Sequence, residues 1–343
     1  MNKISQYIFA FLLLVMGLLV GYFLPKQPKK KAGIQVQNNV QNLPFSNSLI
    51  NPTLPYFEQL GLDYSELNSF RSKIENRIQS EKKIHPDLFV SYYFRDLNNG
   101  LWTGINERET FSPASLFKVP LMITLLKRAE TDPGVLKLGV TYSAKMMGGI
   151  EEEAGFKKED GKYYLVDDLL TQMICYSDNA ASLLLLQLVG DSMVYKTIDD
   201  LNMHVGTKFN ENTNFVTVKA YAGIFRILYN ASFLNKEMSE KALKLLSQAK
   251  FDKGIRAGIP SNVVVAQKYG KRDERINSSN LESIQLHHFA LVFHHKKPFI
   301  LGIMTKGANL KAKEDIIRDL AKITYDEVDG QCGNGNTHQV FRE

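Results

Sequence analysis

Phe111-Ser112-Pro113-Ala114-Ser115-Leu116-Phe117-Lys118-Val119-Pro120 places a serine three residues before a lysine, where an apolar run begins. One helical turn separates Ser115 from Lys118, so both side chains project from one face. An amine beside a hydroxyl can take its proton and make serine a nucleophile, which is the chemistry of a hydrolase working through a covalent acyl-enzyme. Ser-x-x-Lys recurs at Ser80–Lys83 and Ser247–Lys250, both in charged, helix-like stretches that read as solvated faces. Ser115 differs in the residues after it. Leu116, Phe117, Val119, Leu121, Met122, Leu125 and Leu126 have the pattern of a buried helix, and Ser112-Pro113 supplies a start signal. A nucleophile at such an N-terminus is rigidly held, and the helix dipole favours a developing anion there.

Two later segments carry further polar groups. Ser177-Asp178-Asn179 lies between the apolar run Leu169–Ile174 and the next helical pattern, Ala180–Val189. A loop serine there can relay a proton and an asparagine can bind an amide; equally, Ser/Asp/Asn before a helix is an ordinary N-cap. Lys268-Tyr269-Gly270 closes the strand pattern Val263–Gln267. A lysine on an inner strand can fix a carboxylate, and a glycine beside it lets a substrate lie along the strand edge. Lys-x-Gly is common, and recurs here at Lys31–Gly33 and Lys137–Gly139.

The periodicities predict a helix from near Ser65 to about Lys83, then strands Leu88–Leu97 and Leu101–Ile105 joined at Asn98-Asn99-Gly100. Residues from about 119 to 250 read as helical, including Val218–Leu228 and Glu237–Ala249. The charge runs Glu151–Glu153 and Lys157–Asp160 read as solvated loop. Strand patterns return at Val263–Gln267, Ile284–His294 and Phe299–Thr305, with a turn at Lys296-Lys297-Pro298 and a final helix over about Leu310–Val328. Strands first and last around a helical block predict an α/β (α+β) fold. Its antiparallel sheet is built from both chain ends, flanked by helices, with an all-helical domain inserted at about 119–250.

In this order, Ser-x-x-Lys at a helix start, Ser-Asp-Asn between helices and Lys-x-Gly on a strand resemble the class A β-lactamase and penicillin-binding-protein superfamily. The likeness spans about residues 85–328 and is specific as a set. It implies Ser115 as the acylated nucleophile and Lys118 as its proton acceptor. Ser177 would pass a proton to the leaving nitrogen, and Asn179 would bind the substrate's side-chain amide. Lys268 would set the electrostatics near Ser177 and the substrate carboxylate, with Gly270 beside the bound substrate. The backbone N–H groups of Ser115 and Lys271 would form the oxyanion hole.

Two departures from that family stand out. Tyr269 occupies the place of a small hydroxyl residue that contacts the substrate carboxylate, so His287, His288 or Arg272 are considered as replacement donors. The family's long loop with its deacylating glutamate is replaced by about a dozen residues between Asn202-Met203 and Thr217. Glu211 is the sole acid there, and Asn214 stands one residue too early. Hydrolysis of an acyl-enzyme lacking a positioned base is expected to be slow. The resemblance implies a serine hydrolase of the class A β-lactamase type that acylates Ser115; the alternatives are a D-Ala-D-Ala peptidase or esterase acting on cell-wall material, and a non-catalytic sensor of β-lactam or peptidoglycan.

The chain has 343 residues and a net charge of +6. Residues 1–57 hold no acid and five lysines, so the remainder carries +1, and no basic-aromatic surface points to nucleic acid. Ile4–Leu24 is apolar enough to cross a bilayer, and no small-residue cleavage site stands at its end. An uncleaved anchor at 1–24 is therefore expected, then a flexible linker at 25–57, a catalytic domain at 58–329 and a disordered tail at 330–343. The lysines after the span favour a cytoplasmic body by the positive-inside rule, whereas cell-wall or β-lactam substrates require an extracytoplasmic one; the substrates decide the expectation. Cys175 and Cys332 do not make a disulfide framework; Cys175 reads as a small buried residue. No cofactor is called for. The pairs His287-His288 and His294-His295 read as one buried and one exposed residue each, not as a metal site.

Overall fold

The computed structural model describes residues 49–50, 67–147, 158–203, 214–275 and 281–334. All of them belong to one unit, Asn47–Glu343. The expected anchor, nearly all of the linker, Glu151–Glu153 and Glu211 lie outside the described residues. No helix among the described residues is long and apolar enough to cross a membrane.

A five-stranded antiparallel sheet organises the unit. Its strands are β1 (Phe89–Asp96), β2 (Trp102–Ile105), β7 (Val265–Arg275), β8 (Leu281–Val292) and β9 (Phe299–Gly307), in the order β2-β1-β9-β8-β7. Strands from both ends of the chain meet at the β1–β9 pair, where Phe89 faces Lys306 and Asp96 faces Phe299. The sheet is covered on both faces, which is why its central strands read as nearly continuous apolar runs. Val90, Tyr92, Phe94, Leu286, Leu301 and Ile303 pack on helices α1 (Asn68–Ile84) and α9 (Leu310–Asn334) through Phe70, Ile74, Ile316 and Leu320. Phe289, Leu291, Ile300 and Met304 pack on the helical block through Leu116, Val119, Met122, Tyr221 and Phe225.

The helical block consists of α2 (Lys118–Ala129), α3 (Val166–Cys175), α4 (Asn179–Val189), α5 (Asp191–Asp200), α6 (Val218–Tyr229) and α7 (Lys236–Ser247). Its helix α2 is buried almost throughout, from Lys118 to Leu126. Two features are additional to the sequence reading: the short helix α8 (Ile255–Gly258), and a hairpin of β4 (Gly139–Thr141) with β5 (Tyr163–Leu165) inside the block expected to be all-helical. Helix α5 lies in the stretch read as helical, without bounds of its own there. Two-residue strands β3 (Thr110–Phe111) and β6 (Val216–Thr217) join the entry of the Ser115 segment to the start of α6.

Several expectations are corrected. The strand expected to end at Gln267 runs on to Arg275, because β8 supplies ladder partners for its charged half from Lys268 to Glu274. The last helix extends past Val328 to Asn334, so part of the expected tail, including Cys332, is helical. His287 and His288 are both fully buried. Both faces of β8 are covered there: Ser112 lies against His287, and Phe251 and Ile255 lie against His288. His294 and His295 fit the one-buried, one-exposed reading. Cys175 is buried, and burial pushes its thiol up to about 11.

Candidate active site

The Ser115 segment begins as a 3-10 turn, Ala114–Phe117, that runs straight into α2 at Lys118. Residues i and i+3 eclipse in such a turn, so Ser115 and Lys118 lie on one side. Ala114, next to Ser115, has a left-handed φ of 49°. The turn is pinned on several sides. Tyr221 on α6 donates its hydroxyl to the Leu116 carbonyl at 2.8 Å. The backbone of Ser112 donates to Gln285 Oε1 at 3.0 Å, and its carbonyl accepts from His287 Nε2 at 2.9 Å. Arg272 donates to Ser112 Oγ at 2.8 Å.

The edge strand β7 lies directly against this turn at Gly270. A Cβ built there would stand 2.9 Å from the Pro113 carbonyl oxygen and 3.1 Å from the Leu116 nitrogen. Any side chain at this position would force turn and strand apart. Two residues earlier on the same strand, Lys268 points from the same face and is 1 % exposed.

Ser177-Asp178-Asn179 fills the space between the two lysines. Lys118 Nζ donates to the Ser177 carbonyl, to Asn179 Oδ1 at 2.7 Å and to Ser177 Oγ at 3.3 Å. Lys268 Nζ donates to Ser177 Oγ at 2.8 Å. A hydroxyl that accepts from two ammonium groups has both lone pairs engaged and keeps its own O–H to give to a third group. Ser177 itself adopts a left-handed φ of 62°, a conformation that costs a non-glycine residue roughly 1 kcal/mol or more. The N-cap expectation also holds: Asp178 Oδ1 accepts from the Ala181 N–H at 2.6 Å at the start of α4.

Thus Ser115, Lys118, Ser177, Asn179, Lys268 and Gly270 are gathered in one place. Tyr269 is on the opposite side of the strand from Lys268 and stacks on Phe251, with ring centroids 3.9 Å apart and planes 13° apart. The Lys268 ammonium stands 4.7 Å from the Tyr269 ring centre. Lys271 is exposed and pairs with Asp273 at 3.4 Å. Neither histidine considered as a carboxylate donor reaches the cleft. His287 turns to the Ser112 carbonyl, and His288 accepts the Ile255 N–H at 3.0 Å while donating to Gln267 at 2.9 Å. Burial, joined at His288 by the nearby Lys268 charge, lowers both to about 3, so both rings are neutral at pH 7. The other Ser-x-x-Lys serines satisfy themselves on exposed helix backbone, Ser80 on Asn76 and Ser247 on Lys244.

One residue beside the site departs from its expected setting. Lys158, expected on a solvated loop, is buried and forms an ion pair with Asp178 at 3.0 Å, each side chain 1 % exposed. Nothing in its charged neighbourhood marks it. The signal in the sequence is indirect: an aspartate buried as an N-cap between helices needs a cation. Gln285 is likewise absent from the sequence reading, since a glutamine in an apolar strand leaves no periodic trace.

A family model described as the beta-lactamase enzyme family matches residues 70–328. Solved structures share the fold. PBP-A is 18% identical, over 77% of this chain and 97% of that one, with a TM-score of 0.65. A mutant of PBP-A, solved as an acyl-enzyme complex with penicillin G, is 17% identical over 76% and 97%, with a TM-score of 0.64. A beta-lactamase from Xanthomonas campestris pv. campestris is 19% identical over 76% and 98%, with a TM-score of 0.65. No curated protein matches the sequence.

Proposed function

The chain belongs to the beta-lactamase enzyme family, and on that premise we propose that it is a serine hydrolase that opens β-lactams or related amide bonds through an acyl-enzyme on Ser115. The observation that carries this reading is the engagement of Ser177 Oγ by both Lys118 and Lys268 beside the Ser115 turn. Two ammonium groups sharing one hydroxyl away from water repel each other, and loss of a proton from one relieves the repulsion. Lys118, at the start of the helix and one turn from Ser115, is the one assigned the role of base in this reading.

In the acylation step Ser115 Oγ bonds to the carbonyl carbon while its proton passes to Lys118. The backbone N–H groups of Ser115 and Lys271 receive the charge on the carbonyl oxygen. As the C–N bond breaks, the O–H of Ser177 supplies the proton to the leaving nitrogen, and Lys118 passes the proton it took from Ser115 to Ser177. Asn179 binds the amide of the substrate's side chain. Hydrolysis of the Ser115 ester then requires an activated water. The short connection from Met203 to Thr217 offers only Glu211 as an acid, which favours a long-lived ester. That observation supports a second reading, a peptidase or esterase of cell-wall material, or a sensor that acylates once. Because such substrates lie outside the cytoplasm, the proposal includes an extracytoplasmic body tethered by Ile4–Leu24.

The test is labelling of the full chain with a fluorescent penicillin while following turnover. Label on wild type and none on Ser115→Ala is expected. A label that persists favours the peptidase or sensor, and rapid turnover favours the lactamase. No label on wild type, or equal label on Ser115→Ala, sinks the proposal. Protease treatment of intact cells tests the placement, which fails if the body is fully protected.

A further inference from the structure

Lys158 lies outside every motif that defines the site, yet its side chain is only 1 % exposed. Its ammonium meets the Asp178 carboxylate at 3.0 Å. The same carboxylate oxygen caps α4 through the Ala181 N–H at 2.6 Å. Asp178 sits between Ser177 and Asn179, the two residues that Lys118 grips. The ion pair therefore anchors the middle of a three-residue segment whose two ends face the chemistry. It also sets the charge around Lys118. A cation and an anion are held one residue away from its hydrogen-bond partners, in a place where screening by water and salt is weak.

We propose that Lys158 is a positioning residue of the acylation site: its buried pair with Asp178 fixes Ser177 and Asn179 against Lys118 and sets the charge balance under which Lys118 loses its proton. The proposal rests on the acyl-transfer reading for its effect on rate. Its signs are definite. Loss of the Lys158 cation leaves the Asp178 anion unopposed, which holds the proton on Lys118. Loss of the Asp178 anion removes a negative charge near Lys118, which favours expelling it.

The experiment is the rate of labelling by fluorescent penicillin against pH, on the full chain, for wild type, Lys158→Met, Lys158→Arg and Asp178→Asn. In Lys158→Met the rising limb of the profile is expected to move up by about one pH unit, with labelling on that limb about tenfold slower. Asp178→Asn is expected to move the limb downward, and Lys158→Arg to restore it. A purely structural role would lower the plateau and leave the limb in place; that outcome, or Lys158→Met labelling like wild type, overturns the proposal. If Lys158→Met does not fold, the opposite shift in Asp178→Asn decides alone. If wild type takes no label, the acyl-transfer reading falls by itself. Amide exchange at Ala181 then judges the anchor: about tenfold faster exchange in Lys158→Met or Lys158→Gln supports it, and unchanged exchange overturns it.

Discussion

Lys268 reaches across 91 residues of sequence to place its ammonium 2.8 Å from the hydroxyl of Ser177. One belongs to an edge strand and the other to a loop between two helices of the inserted block. Neither is informative by itself; a lysine on a strand and a serine before a helix are common. Their contact joins the two halves of the molecule at the point where the Ser115 turn also arrives.

The contact predicts shared work. Ser177→Ala and Lys268→Met are each expected to slow acylation by about 10²–10³-fold, and the double substitution by less than tenfold more, because both remove one proton route. Labelling kinetics on the four proteins of the cycle measure this. Full additivity would show that the two residues act separately.

Tyr269 predicts a specificity change. Its ring lies on Phe251 and within 4.7 Å of the Lys268 ammonium, so an aromatic face borders that cation where the resemblance implies a small hydroxyl. Tyr269→Thr is expected to raise acylation by a carboxylate-bearing β-lactam about tenfold and to leave a neutral ester substrate unchanged. Parallel rates on the two substrates test it; equal effects on both would locate the role of Tyr269 elsewhere.

Gly270→Ala introduces a methyl within 2.9 Å of the Pro113 carbonyl. Strand and turn must separate, at a cost of about 1–3 kcal/mol in stability. Because the proposed oxyanion donors lie on these two pieces, labelling is expected to fall by at least about 10²-fold while the circular-dichroism spectrum is retained. A variant with normal labelling would show that the turn yields without disturbing Ser115.

The buried neutral histidines predict an acid limit. His287 and His288 have folded values of about 3 against an ordinary 6.5. The unfolded chain therefore binds more protons between these values, and stability is complete above pH 6.5 and falls as pH drops toward 3. At pH 5 each ring is expected to cost about 2 kcal/mol. Urea unfolding from pH 7.5 to 5 measures the loss; a flat profile would mean that neither ring is held neutral by burial.

The sheet and most helices were legible because each buries a face or a stripe against a core. The pattern over Leu116–Leu126 and the apolar runs of β8 and β9 announce this directly. Helix α5 was legible only as part of a helical stretch and not by its own bounds, since its buried side is only Val194, Thr197 and Ile198. The charged half of β7 was hidden for a related reason: its ladder is dictated by β8, not by its own hydrophobicity. In the site, Ser115, Lys118, Ser177 and Lys268 were legible as a set. Lys158 was not, because a buried ion pair between residues twenty apart has the same spelling as a solvated loop. Tyr269 was legible as a departure, but its stacking depends on Phe251, a residue no motif contains.

The fit of Gly270 against the Pro113–Leu116 backbone also has a consequence for when the chain becomes reactive. The Ser115 turn is made early in the sequence, and the strand that closes on it is made some 150 residues later. On the acyl-transfer reading, a nascent or half-folded chain thus contains its serine without the walls proposed to activate it. Acquisition of covalent label should then report completion of folding itself, rising only after the C-terminal strands have docked, so that the reagent used to assay activity doubles as a clock for assembly.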